Sequence, residues 1–143
     1  MFPFPPPPPP MTQIQIIELN IKHGFPPVLA AAMAAVAMRE SGGDPRALNE
    51  NSSTGDLSYG LYQINMLGAL GQARLQLFRE KLGLKKVKEL FDPDMNARAA
   101  FLLFDGKYDN LVILWRIEGP SIEAFKFERQ LPAAVRAAVR AGM

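Results

Sequence analysis

Cysteine is absent from all 143 residues, so disulfides and thiolate metal sites are excluded. There is one histidine, His23, and without a second imidazole or a thiol to join it, a capping or surface role outweighs a catalytic or ligating one. Charge of one sign is also missing. Sixteen Lys and Arg face fourteen Asp and Glu, and a formal charge of +2 is too small to argue for nucleic acid and attracts a polyanionic surface only weakly. Long apolar runs are lacking too: Val28–Met38 holds eleven apolar residues, against the roughly 20 that cross a bilayer. The first residues carry no basic segment followed by an apolar one, so no export signal is read there.

What is present suits one folded domain with an appendage. Residues 1–10 contain seven prolines, and an arm of that composition forms polyproline II rather than helix or sheet. Pro5 to Pro10 at about 3.1 Å each give a stiff rod of roughly 19 Å. Phe2 and Phe4 are apolar anchors of the kind that docking grooves accept. The whole chain is 48% hydrophobic and 21% charged, an ordinary globular composition, and residues 11–143 are read as the folded domain.

Within that domain Val28–Met38 has no polar residue on any side, which predicts a helix buried all round. Pro26 and Pro27 suit its start, and Gly42 and Gly43 suit its stop, where the chain must turn left-handed. Glu40 falls in the last turn, at the negative end of the helix dipole and beside apolar surface. Both effects disfavour its ionised form, and a carboxylic acid kept protonated is what general-acid chemistry requires. Before it, Thr12–Lys22 reads as a short amphipathic helix with Ile14, Ile17 and Ile21 on one face and Ile16 beside them. After it, Asp44–Tyr59 is rich in Asn, Ser, Gly and Asp and reads as a loop or small hairpin. Leu67–Lys81 and Pro93–Phe104 are helical by periodicity, the latter with Asp92 as N-cap. Lys85, Lys86 and Lys88 form a solvated face, and Asn110–Glu118, Ser121–Glu128 and Pro132–Ala141 read as three closing helices.

Three fragments in order carry a family resemblance: Glu40-Ser41-Gly42-Gly43 with Ala47-x-Asn49, then Ser58-Tyr59-Gly60-Leu61-Tyr62-Gln63-Ile64-Asn65, then Leu90-Phe91-Asp92-Pro93-Asp94-Met95-Asn96-Ala97-Arg98-Ala99-Ala100. This series resembles the soluble lytic transglycosylase domain and its lysozyme relatives over roughly residues 28–104. The resemblance implies a mainly α, lysozyme-like α+β fold with a small polar hairpin beside a cleft. By that likeness Glu40 is the catalytic acid and base, and Ser41 orders the end of its helix and is counted with the substrate-binding residues. Ser58, Tyr59, Tyr62, Gln63 and Asn65 line the sugar cleft, with Gln63 and Asn65 bonding substrate or Glu40. Asn49, Asn51, Ser52, Ser53 and Thr54 suit sugar hydroxyls and simple turns equally well. The helix packed behind the site opens near Asn96. Many members carry a late Tyr-Asn pair over the catalytic residue. This chain has none, and Trp115 is the candidate aromatic wall or simply core, with Tyr108 a second candidate.

The activity implied is cleavage of the β-1,4 bond between N-acetylmuramic acid and N-acetylglucosamine in peptidoglycan, with no metal or cofactor. A hydrolytic lysozyme uses two carboxyl groups. The resemblance puts Ser58, rather than a carboxylate, at the position where animal-type lysozymes hold the second. Asp56 is two residues upstream and on a strand would share the face of Ser58. It serves either as a displaced partner or, more simply, as the polar residue of a Thr54-Gly55-Asp56 turn. The single-carboxylate transglycosylase with a 1,6-anhydro product is the preferred expectation. A muramidase using Glu40 and Asp56, and an inactive virion structural protein of the same fold, are the rivals. A wall-cleaving motif joined to a stiff, apolar-tipped arm leads us to expect a bacteriophage particle component in the tail or injection apparatus. Residues 1–10 would dock on a structural virion protein, with no nucleic-acid partner and no membrane span.

Overall fold

The computed structural model describes residues 9–51 and 53–116. The proline arm through residue 8, Ser52 and the two helices expected after Pro120 and Pro132 lie outside the described residues. Among the described residues there are five α-helices and a three-stranded antiparallel sheet, a mainly helical lysozyme-like α+β arrangement.

Helix α1 (Gln13–Lys22) starts with a reciprocal cap. Thr12 Oγ1 accepts from the Gln15 amide at 3.2 Å, and Gln15 Oε1 accepts from the Thr12 amide at 2.9 Å. Its buried residues are Ile16, Ile17, Leu19 and Asn20, while Ile14 is half-buried and Ile21 is exposed. The buried face is therefore rotated from the isoleucine stripe expected, because Asn20 is drawn inside by buried hydrogen bonds. Its Nδ2 donates to Ala30 O at 3.0 Å, and its Oδ1 accepts from Tyr62 Oη at 2.6 Å. His23 caps the helix C-terminus with its backbone N–H. Its ring Nε2 lies 2.6 Å from Asp94 Oδ1, which is also 3.1 Å from Lys22 Nζ.

Helix α2 (Pro27–Ser41) packs on α1, and its buried residues include Ala30, Ala31, Met33, Ala34 and Ala37. It is not buried all round. Val28 is exposed, Leu29, Ala35 and Met38 are half-buried, and the last turn opens to solvent. Gly42 ends the helix at φ 64°, returning its N–H to Met38 O at 2.9 Å. Gly43 follows at φ 79° and accepts from the Met11 amide at 2.8 Å, so the chain leading from the proline arm is tied at the exit of α2.

The polar segment that follows is a sheet. Strand β1 (Leu48–Asn51) pairs with β2 (Asp56–Tyr59), and β2 with the short β3 (Ile64–Asn65), placing β2 in the centre. Helix α3 (Gly68–Leu82), a 3-10 turn (Val87–Phe91) and α4 (Pro93–Phe104) come next. Asp92 caps α4 by accepting from the Met95 amide at 3.0 Å, as the sequence pattern predicts. Helix α5 (Tyr108–Trp115) begins two residues earlier than its pattern suggested and stops at Arg116, which adopts a left-handed φ of 53°. Trp115, the last residue of α5, is buried: its Nε1–H donates to Tyr62 O at 2.9 Å and its ring meets Tyr62 edge-on at 5.9 Å. Phe25, Phe101 and Phe104 form a second aromatic cluster beneath α1 and α4.

Candidate active site

A cleft of about 560 Å³ opens between the end of α2, the sheet, α3 and α5. Glu40 and Arg39 reach it from the last turn of α2. Asp56 and Ser58 line it from β2, Gln63 and Asn65 from the turn into β3, Leu70 and Arg74 from α3, and Trp115 and Arg116 from the end of α5.

The wall opposite Glu40 is held by one buried amide. Asn96, fully buried in the first turn of α4, accepts from the Tyr62 amide at 2.9 Å. It donates to Tyr59 O at 2.9 Å and to Leu90 O at 2.8 Å. The turn between β2 and β3 is thus pinned at both ends by a single side chain. Gly60 is required at its centre: φ is 77°, and a Cβ there would lie 2.4 Å from Asn96 Nδ2 and 2.5 Å from Leu90 O. Gln63 takes a left-handed φ of 48°, which costs on the order of 1–2 kcal/mol for a residue with a side chain. Its Nε2 offsets that by donating to Ala47 O at 3.1 Å and Gly60 O at 3.0 Å.

Several residues expected at the cleft have other work. Tyr62 is fully buried, its hydroxyl donates to Asn20, and burial pushes its phenol far above the ordinary range. It is a core residue because the pinned turn aims it inward, away from the cleft. Tyr59 is half-buried against Phe91, with ring centroids 5.2 Å apart, and does not line the cleft either. Ser41 Oγ donates to Ala37 O at 2.8 Å within α2, which finishes the helix and leaves Ser41 outside the cleft wall. Asn65 does border the cleft, yet its Oδ1 accepts from the Leu57 and Leu67 amides and its Nδ2 donates to Gly55 O at 2.9 Å. Neither Gln63 nor Asn65 bonds Glu40; both brace loop backbone instead. Trp115 is 5% exposed and is both core and cleft wall. The side chain of Tyr108 lies outside the described residues.

Glu40 itself lacks the apolar enclosure expected of it. Its side chain is 33% exposed and its Oε1 lies 3.1 Å from Arg39 Nη2, which also donates to the Trp115 carbonyl oxygen. Asp56 and Ser58 do share a strand face toward the cleft, and Asp56 Oδ2 also accepts from Thr54 Oγ1 at 2.6 Å. Both readings of Asp56, cleft carboxylate and turn residue, therefore describe the same side chain. The arginines were missed from sequence. Arg39 adjoins Glu40 in the motif itself, whereas Arg74 has no signal beyond standing one helical turn after Leu70.

The family model described as "Lysozyme like domain" matches residues 17–109, which takes in the latter part of α1, then α2, the sheet, α3 and α4. The chain belongs to this lysozyme-like family. No curated protein and no solved structure matches it. Membership supports a glycosidase- or transglycosylase-type role on peptidoglycan, and the conformation agrees with it: the lysozyme-like domain presents Glu40 at a helix end across a cleft from the sheet. Among the described residues no cluster of three or more His, Cys, Asp or Glu suits a metal ion, and no helix is long and apolar enough to cross a membrane.

Proposed function

We propose that this lysozyme-like domain is a peptidoglycan lytic transglycosylase with Glu40 as its acid and base. The observation that carries the reading is the pairing of walls: Glu40 ends α2 on one side, and the centre of β2 presents Ser58 on the other. Glu40 protonates the glycosidic oxygen as the bond from the muramyl C1 breaks, releasing the N-acetylglucosamine hydroxyl. Its carboxylate then takes the proton of the muramyl 6-hydroxyl as that oxygen bonds to C1, closing the 1,6-anhydro ring. No water is consumed and no second carboxylate is needed. For the first step Glu40 must exchange Arg39 for the glycosidic oxygen. Arg39 already has a second acceptor in Trp115 O, so its guanidinium stays bonded when the carboxylate leaves it.

A hydrolytic muramidase is the second reading, favoured by Asp56 lining the same cleft as Glu40. Mass analysis of a peptidoglycan digest separates the two. Transglycosylase action gives 1,6-anhydromuramyl ends, and Asp56→Asn keeps the rate within a few-fold. Reducing muramyl ends, with collapse of activity in Asp56→Asn, would establish the muramidase.

Delivery to the wall by a phage particle is part of the proposal. Its support is the composition of residues 1–10 together with the bond from Met11 to Gly43, which starts the arm beside α2. A preformed polyproline rod tipped by Phe2 and Phe4 loses little entropy on docking to a structural virion protein. Deleting residues 2–10 should leave lysis unchanged and abolish incorporation into particles; normal incorporation would refute docking.

A further inference from the structure

The cleft holds more cation than its own carboxylates engage. Arg39, Arg74 and Arg116 line it with Glu40 and Asp56. Arg39 is taken by Glu40 and by Trp115 O. Arg116 is exposed, where solvent screens its charge. Arg74 differs from both. It is half-buried, and among the described residues no carboxylate pairs with it, although Glu40 and Asp56 border the same space. One N–H of its Nη1 donates to Asn65 O at 2.8 Å. That bond holds the guanidinium against the sheet and uses one of five donors, leaving the planar fork for a ligand. Burial without a counter-charge penalises the cation and pulls its ionisation downward from the ordinary arginine value, a cost that an incoming anion would relieve.

We propose that Arg74 is a carboxylate-binding site, through which the cleft selects acidic, muramyl-containing glycan over neutral chains of the same linkage. The inference rests on the peptidoglycan reading and names the group of that substrate which the cleft recognises. Two sources supply it: the free lactyl carboxylate of a peptide-free strand, or an acidic residue of the stem peptide. In either case the expected contact is bidentate, the pairing that guanidinium geometry favours.

The test measures binding to the Glu40→Gln protein, which prevents cleavage, with and without Arg74→Gln. Arg39 is released equally in both, so the comparison isolates Arg74. The probes are peptide-bearing muramyl oligosaccharide, the same strand stripped of peptide, and a chitin oligosaccharide of equal length that carries no carboxylate. With Arg74 present, at least one muramyl probe should bind more tightly than the chitin chain, and which one identifies the source of the carboxylate. Arg74→Gln should remove that preference by on the order of tenfold, the loss typical of a charge-assisted hydrogen bond, while chitin binding stays within twofold. Equal binding of all three probes in the Arg74 protein, or an undiminished preference in a folded Arg74→Gln protein, would overturn the assignment. If Arg74→Gln unfolds, salt decides: the preference must fall between 50 mM and 500 mM salt, and a salt-independent preference overturns it. Binding to none of the probes would instead refute the peptidoglycan reading on which the inference stands.

Discussion

Two polar regions face each other across the turn from Tyr59 to Ile64, and they are built on opposite terms. Beneath the turn, Asn20, Tyr62 and Asn96 are fully buried and joined to one another or to backbone by bonds of 2.6 to 3.0 Å. Above it, Glu40, Asp56 and Arg74 line open space, each with a single local tie and capacity to spare. Buried amides and hydroxyls must be satisfied by the protein itself, since an unmet one costs about 1–3 kcal/mol. Such groups therefore fix shape. Groups at the open wall are only partly enclosed, so their spare capacity can be left for a ligand.

Substitutions can break each side separately. Glu40→Gln should reduce wall lysis by on the order of 10²–10⁴-fold by removing both proton-transfer roles, with the thermal midpoint nearly unchanged. A variant retaining more than a tenth of the rate would show that the chemistry lies elsewhere. The reverse pattern is expected below the turn. Asn96→Ala strips the partners of the Tyr62 amide and of the Tyr59 and Leu90 carbonyls, and should cost about 3 kcal/mol or more in denaturant unfolding. Activity per folded molecule should fall as well, because Gln63 and Ser58 lose their common anchor. Tyr62→Phe leaves Asn20 Oδ1 buried without its donor and should cost about 1–2 kcal/mol, read from the same unfolding curve. Turnover should be unaffected; a large drop in turnover with full stability would return Tyr62 to the cleft.

The smallest effect is expected away from both regions. Asp94 is bonded first to His23 and then to Lys22, which hold its carboxyl below the usual range. A depressed folded-state value means the stabilisation is complete above the unfolded carboxylate range and fades as pH falls through the folded value. Because Asp94 is 45% exposed, Asp94→Asn should cost no more than about 0.5 kcal/mol at neutral pH, vanishing in strong acid. A pH-independent loss would point to helix α4 rather than to the charge.

Helix positions and the hairpin were legible in residue order because their causes are local. Prolines precede Val28–Met38 and glycines follow it, Asp92 stands before Pro93, and the Asn-, Ser- and Gly-rich stretch Asp44–Tyr59 marks the hairpin. The motif fragments likewise led to the lysozyme-like family. Side-chain direction was not legible. Tyr62 and Gln63 are neighbours in one motif, yet Tyr62 enters the core and Gln63 borders the cleft, since Asn96 from a helix thirty-odd residues later sets the turn between them. The exposure of Glu40 depends on Arg39 and on where α5 ends, and the isolation of Arg74 depends on which carboxylates fold near it. Sequence by itself determined which segments form and which chemical groups the chain possesses, because propensities and caps act over a few residues. Only the tertiary structure decided which of those groups are spent on the scaffold and which are left facing the cleft, because hydrogen bonding and burial are settled between segments distant in the chain.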